Sequence, residues 1–346
     1  MLNEHALSSL KADHVGKMTT ILVSGGCGFL GSHLCEHILR RTNWNVVILD
    51  KLTYASNGLE RIRDSGVLDN TRVRVFTIDL ASGPLSEGLV KEIGDVHYIV
   101  HTAAETHIPH SIEDPVGVIH NNVMSTVYLL EYARQLKNLK RFLAFSTDEV
   151  YGGAPPGVDY VESDRHNPTN PYSASKSAAE QICVGYRSVY DIPLIVVNAM
   201  NIIGQRQHPE KYLIKCINHI MKGETIQVHA DPSCTSPGSR FYIHARNVSD
   251  AVLFLIDNGE VGEVYHITGE KEVDNLELAK MISVLMKSDL KYDLVDFHSL
   301  NHGHDERYSL SGAKLAALGW KPPVEFAKSL SETVHWTLDH PEWLDI

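Results

Sequence analysis

Two short stretches hold side chains whose types and spacing can move protons. In "NPYSASK", residues 170–176, Tyr172 and Lys176 stand four residues apart, the interval that sets two side chains one above the other on a helix face. Asn170 is a candidate N-cap and Pro171 a candidate first helical residue, so the start of that helix is well specified. A tyrosine near its ordinary pKa of about 10 is a poor base at neutral pH, and an adjacent ammonium favours the phenolate. Such a pair can take a proton from a sugar hydroxyl while hydride leaves the same carbon. In "FSTDEVYGG", residues 145–153, Ser146, Thr147, Asp148 and Glu149 follow the apolar run 142–145. Adjacent carboxyls serve as donor and acceptor only if their environments push their pKa values apart, and mutual repulsion can by itself keep one protonated. Successive strand residues point to opposite faces, so both carboxyls reach one substrate only if the backbone leaves the strand at Asp148 and Glu149. The plain alternatives are a solvated turn for the acids and an exposed helix pair for the tyrosine and lysine.

"ILVSGGCGFLGSHL", residues 21–34, sets Gly25, Gly28 and Gly31 at the spacing G-x-x-G-x-x-G, after a strand-like run and before a helical one. Glycine suits the unusual backbone angles of such a turn, and a Cβ there would keep a pyrophosphate away from the helix N-terminus. Asp50 closes the next strand-like run, near the ~20-residue offset at which an acid meets the adenosine ribose hydroxyls. An acid there repels a 2'-phosphate, which favours NAD over NADP, although Lys51 beside it could pair with one.

These groups need a scaffold, and the pattern supplies one. Through the first two hundred residues or so, short β-branched runs alternate with longer amphipathic stretches, as in a parallel sheet covered by helices on both faces. Strands are expected at 20–24, 46–50, 73–78, 96–101, 141–146 and 194–198, and helices at 30–40, 85–91, 116–136 and 172–190. After Gly204 the rhythm loosens, with helices at 212–221, 247–258 and 276–286 and strands near 226–229, 241–244 and 264–268. The expected fold is α/β: a Rossmann-like doubly wound parallel sheet over 18–204, then a smaller C-terminal α/β substrate lobe over 205–346. Some elements of the lobe are expected to return to the first domain, because no independent core is evident in it. Residues 1–17 are polar, lack a continuous apolar stretch and read as a loosely ordered extension, not a signal peptide.

Composition narrows the classes further. At 346 residues and 43% hydrophobic the chain can bury a full core, and its net charge of -12 leaves no basic stripe for a nucleic acid polymer. The apolar runs fall far short of the ~20 residues that span a bilayer, so no membrane role is expected. Five scattered cysteines without a C-x-x-C pair fit reduced thiols and a cytoplasmic location. His107-x-x-His110 and His302-x-His304 lack a matching carboxylate or cysteine set, so no metal is expected despite the twenty histidines.

From Met18 onward the chain resembles the extended short-chain dehydrogenases/reductases. "DKLTYAS" at Asp50, "HTAAETHIPHSI" at His101, "STDEVYGG" at Ser146, "NPYSASK" at Asn170, "HPEKYLI" at His208 and "GHDERY" at Gly303 stand in the order found in dTDP-glucose 4,6-dehydratases. Epimerases and decarboxylases share the glycine loop and the Tyr-Lys pair but usually lack Thr-Asp-Glu. The resemblance implies that Tyr172 removes the C4 hydroxyl proton as hydride passes to NAD, with Lys176 holding the phenolate and the nicotinamide ribose. The C4 ketone acidifies C5; Glu149 takes the C5 proton, and Asp148, protonated at rest, gives its proton to the departing C6 hydroxyl. Hydride then returns to C6, and Thr147 hydrogen-bonds the C4 oxygen.

By the same resemblance Phe29, Leu30, Lys51, Thr53, Asp79, Leu80, Ala103, Ala104, Glu105 and Asn121 match cofactor positions, beside the glycines and Asp50. Thr106, Asn201, Lys211 and Arg240 match positions that bind the nucleotide-sugar, with Arg240 as the diphosphate cation. Three departures fall near the nucleotide: Asn301-His302-Gly303-His304-Asp305 replaces "RPGHD", His266 replaces an asparagine, and Gln227-Val228-His229 replaces Pro-Ile-Tyr. His229, His266 and His304 are therefore candidate substrate contacts, and the base stays open between thymidine and uridine, which differ by one methyl, about 1 kcal/mol of apolar burial. A UDP-glucose 4,6-dehydratase, a C4 epimerase or decarboxylase, and a non-catalytic NAD-binding regulator are the competing readings. The resemblance also implies a homodimer paired through helices 116–136 and 172–190.

Overall fold

A computed structural model describes residues 18–296 and 305–345. The polar extension and the 301–304 departure, including His304, lie outside the described residues. Strands β1 (Thr20–Ser24), β2 (Asn45–Asp50), β3 (Val73–Thr77), β4 (Tyr98–His101), β5 (Arg141–Thr147) and β6 (Leu194–Ala199) alternate with helices. These are α1 (Phe29–Arg41), α2 (Glu60–Asp64), α3 (Glu87–Ile93), α4 (Ile108–Glu113), α5 (Pro115–Ala133) and α6 (Pro171–Tyr190). The later elements are β7 (Asn201–Ile203), α7 (Tyr212–Lys222), β8 (Thr225–Ala230), β9 (Ser239–His244), α8 (Ala245–Asn258) and β10 (Val264–Ile267). They are followed by β11 (Glu272–Asp274), α9 (Asn275–Met286), β12 (Lys291–Asp296), α10 (Ala313–Ala317) and α11 (Phe326–Asp339).

Seven parallel strands form the main sheet in the order β10-β6-β5-β4-β1-β2-β3. Both faces are covered, which is why the strands read as continuous apolar runs. Ile21, Val23, Val46, Ile48, Leu143 and Val197 pack with Leu34 and Ile38 of α1 and Val248, Val252 and Leu255 of α8. The alternate residues Leu22, Val47, Ile99, Phe142, Ala144 and Val196 pack with Leu129 and Leu130 of α5 and Cys183 of α6. The two sets alternate along each strand with a period of 2, as the pleat requires.

The chain beyond Gly204 differs from the expectation in one respect. Strand β10 adds to the main sheet and α8 packs on α1, but α7, β8, α9 and α11 enclose a hydrophobic cluster of their own around Ile217, Val228, Ile282 and Leu330. Burial of each such side chain contributes about 1.5–3 kcal/mol, so the lobe has a core. Helix α11, unread in the sequence, supplies Phe326, Leu330 and Val334 to it. Two small sheets, β11-β9-β7 and β12-β8, complete this part.

Candidate active site

The acids sit where the backbone leaves the sheet. Thr147, the last residue of β5, is extended, and Asp148–Tyr151 turn at once into a 3-10 helix. The Thr147 hydroxyl accepts from the Glu149 N–H at 3.3 Å and donates to Asp148 Oδ1 at 2.9 Å. Gly152 ends the turn at φ +76°, where a side chain would be strained. Asn170 Nδ2 donates to Glu149 Oε2 at 3.2 Å, tying the turn to the start of α6. Asp148 is buried and its pKa rises to about 6 because burial disfavours the charge, although Thr147 and Arg240 oppose the rise. Burial, then the Asp148 charge, pushes Glu149 up to about 7. The pair therefore holds about one proton near neutral pH. Burial raises both members above the usual carboxylate range, so the proton belongs to the pair as a whole.

Tyr172 and Lys176 come from the first two turns of α6, whose start is fixed by a capping box: the Asn170 side chain accepts from Ser173 N–H at 2.8 Å, and Pro171 follows at the first helical position. Both side chains are buried. Tyr172 is hydrogen-bonded to Thr147, and its pKa is driven well up by burial and then by the charges of Glu149 and Asp148. The ammonium expected to favour the phenolate is not among the groups acting on it. Lys176 instead lines a small cavity with His101, Ser146, Glu180 and Cys183, and burial lowers its pKa to about 8. Asn122, not singled out as a site residue in the sequence, fixes the approach to this helix. Its amide accepts from Glu105 N–H at 2.8 Å and donates to Glu105 C=O at 3.0 Å and to Ser175 Oγ at 2.9 Å.

At the other edge, Gly25 takes φ +73°, and a Cβ there would lie 2.7 Å from Ala103 N; a Cβ on Gly31 would overlap the Gly25 carbonyl. Gly28 is the N-cap of α1 and offers no side-chain cap, so the amides of Phe29 and Leu30 and the positive end of the helix face a phosphate-sized ligand without a competing acid. Asp50 Oδ2 accepts from Cys27 N–H at 2.9 Å and Oδ1 from Leu52 N–H at 2.8 Å, so the acid also staples the glycine loop. Burial raises its pKa against those bonds. Lys51 is held by Asn121 Oδ1 at 2.7 Å and Glu105 at 3.4 Å, which leaves less of its charge for a 2'-phosphate. Thr53 caps a 3-10 turn, Leu80 is buried, and Asp79 is exposed and accepts from Ala81 N–H at 2.8 Å. Ala103 and Ala104 are half-buried beside the loop. The uncapped α1 terminus, the glycine cradle and an acid at the end of β2 fit a dinucleotide.

The sequence-proposed substrate residues separate into three groups. Arg240, on β9, lies 4.5 Å over the Tyr308 ring and donates to the carbonyls of Ser239, Asp305 and Glu306. No carboxylate pairs with it among the described residues, and its charge acts on both Asp148 and Glu149. Lys211 pairs with Glu210 at 3.3 Å and also acts on Glu149. Thr106 and Asn201 are exposed, and His229 is half-buried on β8. His266 is fully buried: its Nε2 meets the Tyr151 hydroxyl at 2.9 Å, so it anchors the acid-bearing turn and is not placed to touch a nucleotide.

A model described as the NAD dependent epimerase/dehydratase family matches residues 21–268. The chain belongs to this family. It is 36% identical to the dTDP-glucose 4,6-dehydratase of Neisseria gonorrhoeae over 92% of this chain and 96% of that protein. It is 34% identical to the trifunctional UDP-glucose 4,6-dehydratase/UDP-4-keto-6-deoxy-D-glucose 3,5-epimerase/UDP-4-keto-L-rhamnose-reductase of Arabidopsis thaliana, over 93% of this chain and 47% of that protein. The crystal structure of dTDP-glucose 4,6-dehydratase from Bacillus anthracis in complex with NAD superposes with a TM-score of 0.83 at 30% identity, covering 94% of this chain and 99% of that one.

Proposed function

We propose that this chain is an NAD-dependent dTDP-glucose 4,6-dehydratase, converting dTDP-glucose to dTDP-4-keto-6-deoxyglucose. The observation that carries the reading is the 3-10 exit after β5, which gathers one hydroxyl and two carboxyls around the Tyr172 phenol. NAD, when bound, supplies the hydride acceptor for oxidation at C4 and returns the hydride at C6. Tyr172 takes the C4 hydroxyl proton, Glu149 takes and later returns the C5 proton, and Asp148 protonates the departing C6 hydroxyl. Each turnover then leaves Tyr172 one proton richer and Asp148 one proton poorer. The hydrogen-bonded series Tyr172, Thr147, Asp148 spans that difference: one shift along it, phenol to hydroxyl to carboxylate, generates the base and the acid together. The resting site, with the proton held on the phenol, is the starting point of that shift.

Arg240 and Lys211 hold the diphosphate, and Gly25, Gly28, Gly31 and Asp50 hold the dinucleotide. The protein works as a homodimer through α5 and α6, which pack on each other and leave Val116 and Ile119 on α5 and Val184 on α6 exposed at 77%, 41% and 39%. Among the described residues no helix is long and apolar enough to cross a membrane, and five free thiols, four of them buried, suit a reducing cytoplasm.

Incubation with dTDP-glucose and with UDP-glucose separately, followed by alkali to develop the 4-keto chromophore, tests the reading. Faster product from dTDP-glucose is expected. A clear preference for UDP-glucose would overturn the base while leaving dehydration intact. Conversion to a C4 epimer without the chromophore, or no conversion of either, would overturn dehydration itself. Sedimentation as a strict monomer would remove the dimer.

A further inference from the structure

We infer that Glu180 is the buried counter-ion of Lys176, facing it across a small cavity, and that it positions this lysine as an ammonium while the site works. The inference rests on the proposed function for its catalytic part only; the pairing itself does not depend on it.

Glu180 extends the Tyr172–Lys176 register by one further turn of α6. All three side chains are buried, with Glu180 only 5% exposed, and a glutamate is almost never buried to that extent unless it is paired. Lys176 and Glu180 line the same cavity, with Ser146, His101, Thr126 and Cys183, and it has room for about one water molecule. The Ser146 hydroxyl on its wall is buried without a partner among the described residues. Glu180 Oε2 accepts from Asn198 Nδ2 at 3.2 Å, and the same amide donates to the Thr147 carbonyl at 3.1 Å. Glu180 is thus tied to the end of β5 that carries the acids. Its other oxygen lies 3.5 Å from His166 Nε2, on a ring braced by Ser177 Oγ at 2.9 Å.

Elimination among the neighbours supports the assignment. The groups whose charge raises the proton affinity of Lys176 against burial are Cys183 and Glu180. Burial pushes the Cys183 thiol up to about 12, so it carries no charge at neutral pH. On β4, His101 is driven down to about 3 by burial and the lysine, and is neutral. Tyr151 in the 3-10 turn, held up by burial and then by Glu180 itself, and His266 on β10, held down by burial, also feel Glu180 and add no cation against it at neutral pH. His166 is the remaining titratable group facing Glu180. Glu180 is therefore the one carboxyl on the cavity wall that Lys176 shares.

The pairing is read without substrate by thermal unfolding at pH 7.5 of wild type, Glu180→Gln, Lys176→Met and the double variant. Loss of the carboxylate is expected to lower the midpoint more in the Lys176 background than in the Lys176→Met background, where only His166 and the Asn198 amide still face it. Equal shifts in the two backgrounds would overturn the proposal. If the glutamine variants do not fold, Lys176→Met alone suffices: its midpoint should fall more steeply than that of wild type from pH 5 to pH 8, and a parallel fall would overturn the pairing. In kinetics, Glu180→Gln should move the alkaline limb of kcat/KM down by roughly one pH unit, since an ammonium that loses its counter-charge deprotonates earlier. Glu180→Asp should restore most of it. A limb that stays in place while activity falls would overturn the catalytic part. Absence of any 4-keto product from wild type would instead defeat the proposed function and leave the unfolding cycle standing.

Discussion

At the reacting end of the site, Thr147, Asp148 and Glu149 are consecutive and Tyr172 and Lys176 share two turns of one helix. Of the residues proposed for the nucleotide end, Lys211, His229 and Arg240 come from the start of α7, from β8 and from β9. The first group is placed by short-range rules: a strand that must end, a glycine at positive φ, and a capped helix. The second is placed by how distant segments of the lobe pack. Arg240, for instance, is oriented by the carbonyls of Asp305 and Glu306, more than sixty residues away. Chemistry that needs sub-ångström positioning lies on the locally determined elements, and recognition of a variable partner lies on the assembled ones.

The sharpest break of that comparison is Glu149→Gln. It keeps the shape and the Asn170 contact but removes the base for C5, so product formation should fall by roughly 10²–10⁴-fold. The reduced cofactor should still appear on adding substrate, visible by its absorbance. A variant that still made the 6-deoxy product at a normal rate would remove Glu149 from the mechanism.

Thr147→Val tests the proton series, with a smaller expected loss of about 10–100-fold in steady-state rate. Because every turnover starts from the protonated phenol, first and later turnovers should slow alike, small buffer acids should partly restore the rate, and Thr147→Ser should recover most of it. Slowing that buffer does not relieve would reduce Thr147 to a contact with the C4 oxygen.

The same division explains how much could be read in advance. Strand β1 and the starts of β5 and β6 fall where β-branched periodicity sets them, because these strands are buried on both faces; β3 starts as expected too, although as the edge strand it is only half-buried. Both carboxyls can reach one substrate only if the chain leaves the strand at Asp148, and there it turns into the 3-10 helix. What stayed hidden needed distant partners. His266 looked like a nucleotide contact, and its true partner, Tyr151, is 115 residues away. The rise in pKa of both Asp148 and Glu149 depends on burial that adjacency alone does not reveal. Glu180 carried a faint signal, a second four-residue step after Lys176, but a helical glutamate is ordinarily solvated, and only its burial makes it informative.

At the nucleotide end, Arg240→Ala should raise KM for the nucleotide-sugar about 10–100-fold, the loss of a charge-assisted contact of roughly 1.5–3 kcal/mol, with kcat within a few-fold of wild type. Arg240→Lys should recover only part of this, because the planar fork that meets three carbonyls and stacks on Tyr308 is lost. A fall in kcat as large as the rise in KM would place Arg240 at the reacting end and blur the distinction between the two.

The smallest expected effect is on stability, and its sign follows from burial. The Glu149 carboxyl is raised from 4.5 to about 7 in the folded chain, chiefly by desolvation. Below its unfolded value both states are protonated and the group contributes nothing. Between the two values the unfolded chain ionises first and holds fewer protons, so stability falls as pH rises, and above about 7 the loss is complete. Glu149→Gln removes that loss, and at pH 8 it should be more stable than wild type by about 3 kcal/mol, a few degrees in midpoint. The difference should vanish near pH 4. An advantage that persists at low pH would trace to packing, and none at pH 8 would mean the carboxylate is already compensated in the fold. The expected pattern, a gain confined to high pH in the variant that loses the dehydration step, would identify the strain of the buried acid pair as a cost accepted for catalysis at the reacting end.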